Sequence, residues 1–190
     1  MTAEAAHHQL VSVEDYLAGE LTSEIKHEYL GGIVYAMAGA SNRHEVICTN
    51  LLGILFGKLE GSRCRPFGAN TKVRIRQRDD VRFYYPDALV VCRQNSLDDQ
   101  FQDEPEIIFE VLSDSTRHMD EREKRLAYCG LDSLQAYVLI EQDKVSVTVW
   151  RRTPDGFRPE NYSDPATVVE FSSHQIAVPL ARLYIDTELT

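Results

Sequence analysis

No stretch of about 18 consecutive apolar residues occurs in this 190-residue chain, so no segment reads as a membrane-spanning helix. Glycine-rich phosphate cradles are missing as well. There is no G-x-G-x-x-G and no G-K-[ST], which argues against a nucleotide cofactor. A serine or cysteine hydrolase is set aside because no G-x-S-x-G elbow exists and neither Ser113 nor any cysteine has a histidine in a recognisable arrangement. His118, close to Ser113 and Ser115, reads as a surface helix residue. Cysteine is sparse: Cys48, Cys64, Cys92 and Cys129 lie 16, 28 and 37 residues apart without a C-x-x-C pair. That spacing excludes a zinc ribbon or a thioredoxin-like motif, and the four are expected as reduced, buried or half-buried thiols. The first twenty residues carry Glu4, Glu14, Asp15 and Glu20 but no lysine or arginine, so no secretory signal is read and a cytoplasmic protein is expected. Internal repeats, low-complexity stretches and Pro/Ser linkers are also lacking. One domain over residues 1–190 follows, with a core over about 10–150 and a strand-rich extension over 151–190.

What is present is an ordinary globular composition, 43% apolar and 26% charged, long enough to bury a core without metal or disulfide staples. The net charge of −10 argues against indiscriminate nucleic-acid binding. Its distribution differs from its sum. Seven basic residues (Arg63, Arg65, Lys72, Arg74, Arg76, Arg78, Arg82) stand against two acids between Arg63 and Arg82, whereas ten acids stand against three basic residues from Asp98 to Lys124. A basic segment is therefore followed by an acidic one.

Periodicity and punctuation place the elements. Ser12 caps a short helix ending at Gly19, and Gly31-Gly32 turns a hairpin between segments 26–30 and 33–37. Ser41 caps a longer helix to about Leu59, with Ile47, Leu51, Ile54, Leu55 and Leu59 on one stripe. Strands are expected at 71–77, 83–91 and 106–112, the last a nearly continuous apolar run suited to a central strand. A helix capped by Ser115 or Thr116 ends near Gly130, with Met119, Leu126 and Ala127 facing inward. A second hairpin (135–140, 145–150), weaker strands at 157–162 and 167–171, and a closing segment near 180–184 complete the reading. The class is α/β or α+β around one mixed sheet.

Glu110 is the oddest residue, a carboxylate inside Ile107-Ile108-Phe109-Glu110-Val111-Leu112. Burying it costs several kcal/mol, roughly, unless it is paired, hydrogen-bonded or metal-bound. Asp87 poses the same question between Pro86 and Ala88-Leu89-Val90-Val91. Two carboxylates on neighbouring strands can converge, and oxygen ligands at that spacing suit Mg2+ or Mn2+. The competing reading is that each acid sits at a strand end, solvated or paired with an arginine. Asp120, Lys124 and Tyr128 follow at i, i+4, i+8 on one helical stripe, which brings a lysine toward the carboxylates or forms a solvated Asp–Lys pair.

The ordered set Pro86-Asp87, Glu110-Val111-Leu112-Ser113 with Ser115-Thr116, then Asp120, Lys124, Tyr128 and Gly130, resembles the Uma-type restriction endonuclease family of the PD-(D/E)XK nuclease superfamily. The likeness extends to Glu28-Tyr29-Leu30-Gly31-Gly32-Ile33-Val34-Tyr35-Ala36-Met37 and to Ser41 with His44 opening a helix, about residues 10–150 in all. The resemblance implies a restriction-endonuclease-like mixed β-sheet flanked by helices, with Asp87 and Glu110 as metal ligands and Asp87, Glu110 and Lys124 as catalytic residues. It also implies Glu28, His44, Asp120 and Tyr128 around them, Mg2+ (or Mn2+) as cofactor, DNA as substrate, double-stranded by expectation, and a homodimer. Leu112 occupies the position where the superfamily places its lysine, and Lys124 of the following helix takes that part. Lys72, Arg74, Arg76 and Arg78 recur at two-residue spacing and are candidates to track a phosphate backbone; the alternative is the charged solvent face of an exposed strand. A nuclease fold without catalysis, serving as a nucleic-acid or protein binding module, is the second functional expectation.

Overall fold

Two β-sheets carry the fold, not one. The computed structural model describes residues 10–77 and 80–189. Helix α1 (Val13–Glu20) begins at Ser12, whose hydroxyl accepts the amide hydrogen of Asp15. Strands β1 (His27–Leu30) and β2 (Ile33–Ala36) form a hairpin whose two turn residues have positive φ, 56° at Gly31 and 98° at Gly32. Only glycine adopts that pair of conformations without a Cβ penalty, so the turn and its register follow from the sequence. Helix α2 (Asn42–Leu59) starts at Ser41, which caps the amide of His44, and buries Ile47, Leu51, Leu55 and Leu59.

The remaining strands are β3 (Arg65–Gly68), β4 (Lys72–Gln77), β5 (Asp80–Tyr84), β6 (Ala88–Val91), β7 (Phe101–Gln102), β8 (Pro105–Leu112), β9 (Ala136–Glu141), β10 (Val147–Thr153), β11 (Gly156–Tyr162), β12 (Val168–Phe171) and β13 (Ile176–Pro179). One sheet has the order β2-β1-β5-β4-β7 and the other β11-β10-β9-β8-β6-β3, while β12 and β13 pair separately. In the six-stranded sheet β8 runs parallel to β9 and antiparallel to β6. The α+β class stands, and β8 is a central strand.

The single strand expected over 83–91 is broken. Residues 80–84 belong to the first sheet and 88–91 to the second, and Tyr85-Pro86-Asp87 carries the chain between them. Pro86 has no amide hydrogen to give a ladder, so the crossover falls where pairing is already lost. Between the sheets Val73, Ile75 and Tyr84 pack against Leu89, Val91, Ile108 and Leu112. On the far face of the six-stranded sheet, α2 meets β12, β13 and helix α4 (Leu180–Leu183) over Phe109, Val138 and Ile140.

The helical segment after β8 departs from expectation in three ways. Its first turn is capped by Ser113, whose hydroxyl accepts the amide hydrogen of Thr116, rather than by Ser115 or Thr116. Residues Met119–Lys124 form a π-helix before the chain tightens into α3 (Arg125–Cys129). Leu126 is 68% exposed while Ala127 is buried, because Lys124, Ala127 and Tyr128 share the inward face at i, i+3 and i+4 and Leu126 falls opposite them. The cysteines also depart. Cys64 and Cys92, flanking the Arg65–Val91 pair of β3 and β6, are joined as a disulfide, and only Cys48 and Cys129 are free. Sequence spacing is blind to this pair because strand pairing, not chain proximity, makes them neighbours.

Candidate active site

Period-two alternation on β8 puts Glu110 on the face of Ile108 and Leu112, between the two sheets. The register that sets Ala88 opposite Phe109 brings Asp87, one step earlier, alongside Glu110. Asp87 is fixed there by the amide of Val111, which donates to its Oδ2 at 2.7 Å. Glu110 is 2% exposed.

Lys124 answers that burial. Its Nζ lies 3.0 Å from Glu28 Oε1, 3.2 Å from Asp120 Oδ1 and 3.4 Å from Glu110 Oε1. Three elements thus converge on one ammonium: β1 through Glu28, β8 through Glu110, and the π-helical turn through Asp120 and Lys124 itself. Burial alone favours a neutral lysine, but the three carboxylates outweigh it and hold Lys124 protonated, well above its ordinary range. For Glu110 burial dominates. Together with the charges of Asp120, Asp87 and Glu28 it raises the carboxyl well above its usual value, against the pull of Lys124.

His44 closes the other side. Its Nε2 is 3.3 Å from Asp87 Oδ2, and its Nδ1 is 3.5 Å from the thiol of Cys48 one turn along α2. Burial lowers the imidazole pKa, while the hydrogen bond and charge of Asp87 raise it by more, so the net shift is upward. Cys48 escaped the sequence reading as a neighbour of the site, although its i, i+4 spacing from His44 was visible. Burial pushes its thiol pKa up, so it remains a neutral thiol beside hard oxygen donors.

These groups open into a cavity of about 640 Å³ lined by Lys26, His44, Asp87, Glu110, Asp120 and Lys124 among others. Lys26 was also missed. It lies two residues before Glu28, and that spacing is the signal that could have found it. Six acidic residues line the cavity (Glu24, Glu45, Asp87, Glu110, Asp114, Asp120) against two lysines, so the cavity has an excess of negative charge. The buried hydroxyl of Tyr128 in the same cluster lacks a hydrogen-bond partner among the described residues, and Asp120 Oδ1 has the Lys124 ammonium as an ion-pair partner but no geometrically formed hydrogen bond. A surplus of hard oxygen donors, six carboxylates against two lysines, fits an Mg2+-type ion.

The basic strand is placed differently from expectation. Lys72 is buried, donates to the hydroxyl of Tyr85 at 3.1 Å and lies over the rings of Tyr16 and Tyr85. Arg74 makes two 2.7 Å bonds to Asp103 and stacks on Phe101. Arg76 is exposed, and Arg78 lies outside the described residues. Because β4 is internal to its sheet and α1 covers that face, the row of cations reduces to Arg76 among the described residues.

An uncharacterized protein, slr1290, of Synechocystis sp. is 32% identical over 147 residues, covering 77% of this chain and 76% of its own. A second uncharacterized Synechocystis protein, sll1609, is 27% identical over 150 residues, covering 77% of this chain and 84% of its own. The crystal structure of a protein from Anabaena variabilis, described as a putative nuclease belonging to DUF820, superposes with a TM-score of 0.68 at 18% identity. It covers 85% of this chain and 91% of that one. That likeness establishes a shared fold. The Uma2 family model, described as "Putative restriction endonuclease", matches residues 13–179, nearly the whole chain, including every residue assembled around Lys124, and the chain belongs to that family.

Proposed function

We propose that this protein is an Mg2+-dependent endonuclease (Mn2+ substituting) that hydrolyses DNA phosphodiester bonds. The observation that carries the reading is one buried lysine ammonium held among Glu28, Glu110 and Asp120, beside Asp87, at the floor of an acidic cavity. An anionic phosphate is repelled from such a cavity unless a cation offsets the carboxylates. Asp87 and Glu110 are the residues that would hold the ion, and Mg2+ bound there would supply charge neutralisation, polarisation of a phosphate oxygen and a water of lowered pKa. The chain's own groups do the rest. Val111 and His44 keep Asp87 oriented, and Glu28, itself accepting the Tyr85 amide hydrogen at 3.4 Å, anchors Lys124. Lys124 keeps its proton and offers a fixed positive charge to an attacking water or to the charge developing on phosphorus. Leu112, 2% exposed, belongs to the apolar cluster between the sheets. The lysine of the site comes from the helical turn instead.

Double-stranded DNA as substrate, a homodimer and a cytoplasmic location belong to the same proposal. A monomer by light scattering at working concentration removes the dimer. The competing reading is a non-catalytic binding module on the same fold. It draws support from the net charge of −10 and the burial of Lys72, both unfavourable for a cationic DNA track. Cleavage of supercoiled plasmid and of single-stranded DNA with Mg2+ or Mn2+ separates the two. Wild type is expected to cut, Asp87→Ala and Glu110→Gln to lose at least about 100-fold, and Glu110→Gln to keep its fold. A folded wild type that neither cuts nor gains thermal stability from Mg2+ or Mn2+ refutes the nuclease reading, since an ion bound only to the native state must raise its melting point.

A further inference from the structure

We propose that Cys64, Cys92, Glu106 and His174 form a second metal site, one for a soft divalent ion such as Zn2+, available when the Cys64–Cys92 bond is reduced. One donor atom each from Cys92, Glu106 and His174 lies within 4.8 Å of the other two, and Cys64 is bonded to Cys92. The donors come from four separate segments: the residue before β3, the residue after β6, the start of β8, and the 3-10 turn Ser172–His174. Nothing in sequence order links them. The pleat does, since β3, β6 and β8 are neighbours in the six-stranded sheet.

The site is built rather than incidental. The His174 side chain is 3% exposed, and its Nε2 lies 2.7 Å from Glu106 Oε2. Its Nδ1 lies 3.0 Å from the Ser173 hydroxyl, so the ring is fixed from both nitrogens, as metal-ligating histidines are. Cys92 and Glu106 also line an open cleft of about 340 Å³, which supplies an entry path, and Arg93 on its rim is drawn to Glu104 at 3.4 Å. Two sulfurs, one imidazole and one carboxylate make a four-donor set suited to tetrahedral Zn2+ and poorly suited to Mg2+. Ligands at ordinary Zn–S and Zn–N lengths stand about 3.3–3.8 Å apart around the ion, so Cys92, Glu106 and His174 close by roughly 1 Å and the two sulfurs, released from their bond, part by roughly 2 Å.

The balance is simple. A dithiol reductant passes two electrons to the Cys64–Cys92 bond, its own thiols joining as a disulfide and the protein sulfurs becoming two thiols. Zn2+ then replaces the two thiol protons, which leave to solvent. Glu106 lies four residues before Glu110 on β8, about 13 Å away along the strand, so this site occupies the opposite end of the strands that carry the acidic cavity. It also binds the C-terminal segment, through His174, to the central sheet.

The test uses the full chain with Cys48→Ser, which removes the sulfur beside His44. The chain is reduced by a dithiol, freed of it under argon, checked by Ellman titration for complete reduction, and titrated with Co2+. One equivalent is expected to give sulfur-to-cobalt charge transfer and the strong visible bands of tetrahedral cobalt, displaced by Zn2+. The oxidised chain is expected to give neither. His174→Asn and Glu106→Gln should weaken binding at least tenfold, and Zn2+ should raise the melting point of the reduced chain by more than that of the oxidised chain. A reduced, folded chain without the charge-transfer band overturns the proposal, as do identical spectra before and after reduction. Neither result depends on how a substitution affects folding.

Discussion

At the residue scale the protein turns on one cation among carboxylates. Lys124 touches Glu28, Glu110 and Asp120, all with side chains at most 12% exposed. Removing a single partner from a buried charged cluster leaves the others uncompensated, a loss of about 3–5 kcal/mol. Lys124→Met is therefore expected to lower stability by about 3 kcal/mol in urea unfolding at neutral pH. Adding Glu110→Gln to it should recover part of that loss, because one of the stranded charges disappears. Equal stability of wild type and Lys124→Met would show that the cluster is better hydrated than its burial indicates. The sequence made this residue visible but not its meaning: i, i+4 spacing from Asp120 describes a solvated surface pair as well as it describes a buried one.

At the element scale the π-helical turn Met119–Lys124 is the distinctive feature. Its wider turn admits one more residue than an α-helix, and such bulges recur at functional sites. Asp120 and Lys124 both point inward from it, although Arg122 between them is exposed. Deleting Arg122 lets the α-helical ladder continue and shortens the Asp120–Lys124 spacing to i, i+3, which shifts the Asp120 carboxylate away from its 3.2 Å contact with the Lys124 ammonium. Circular dichroism should then show a retained fold, while cleavage falls at least about 100-fold. Undiminished cleavage by the deletion variant would show that the spacing has no part in the site. The other elements behave as their punctuation indicates: Ser12, Ser41 and Gly31-Gly32 are local signals answered locally. Tyr85-Pro86-Asp87 is different. An unbroken apolar run looks like one strand, and only the proline marks the point where it changes sheets.

At the scale of the whole molecule the C-terminal 40 residues are part of the core. Val169, Phe171, Val178, Leu180 and Leu183 pack with Leu51, Phe109, Val138 and Ile140. Burying five such side chains contributes on the order of 10 kcal/mol, comparable to the roughly 5–15 kcal/mol by which a domain is stable. A chain ended after residue 163 is expected to lose its cooperative melt, and the intact chain to unfold in one calorimetric transition. A truncated chain that melts cooperatively would make this segment an appendage. Acid stability rests partly on Arg117, whose two terminal nitrogens lie 2.9 and 2.6 Å from the oxygens of Glu141. The hydrogen bonds from Arg117 hold the Glu141 carboxyl below its usual value. Its stabilisation is thus fully present above the unfolded-state pKa near 4.5 and is lost as pH falls through the lower folded value. Arg117→Met should cost up to about 1 kcal/mol at pH 7 and nothing measurable once Glu141 is protonated in both states. A cost unchanged by acid would assign Arg117 a packing role instead.

By itself the sequence determined the local elements and the identity of the charged residues at the site, because caps, glycine turns and periodicity act within a few residues of chain. Asp87, Glu110 and Lys124 stood out for what they are and where they lie in apolar or helical patterns. The tertiary structure decided which of those charges meet. It split the 83–91 run between two sheets, buried Lys72 beneath Tyr16 and Tyr85, joined Cys64 to Cys92, and gathered Glu28, Glu110 and Asp120 around one ammonium. The physical reason is that burial and pairing are properties of strand order and sheet packing. Residues distant in the chain become neighbours only when those layers close.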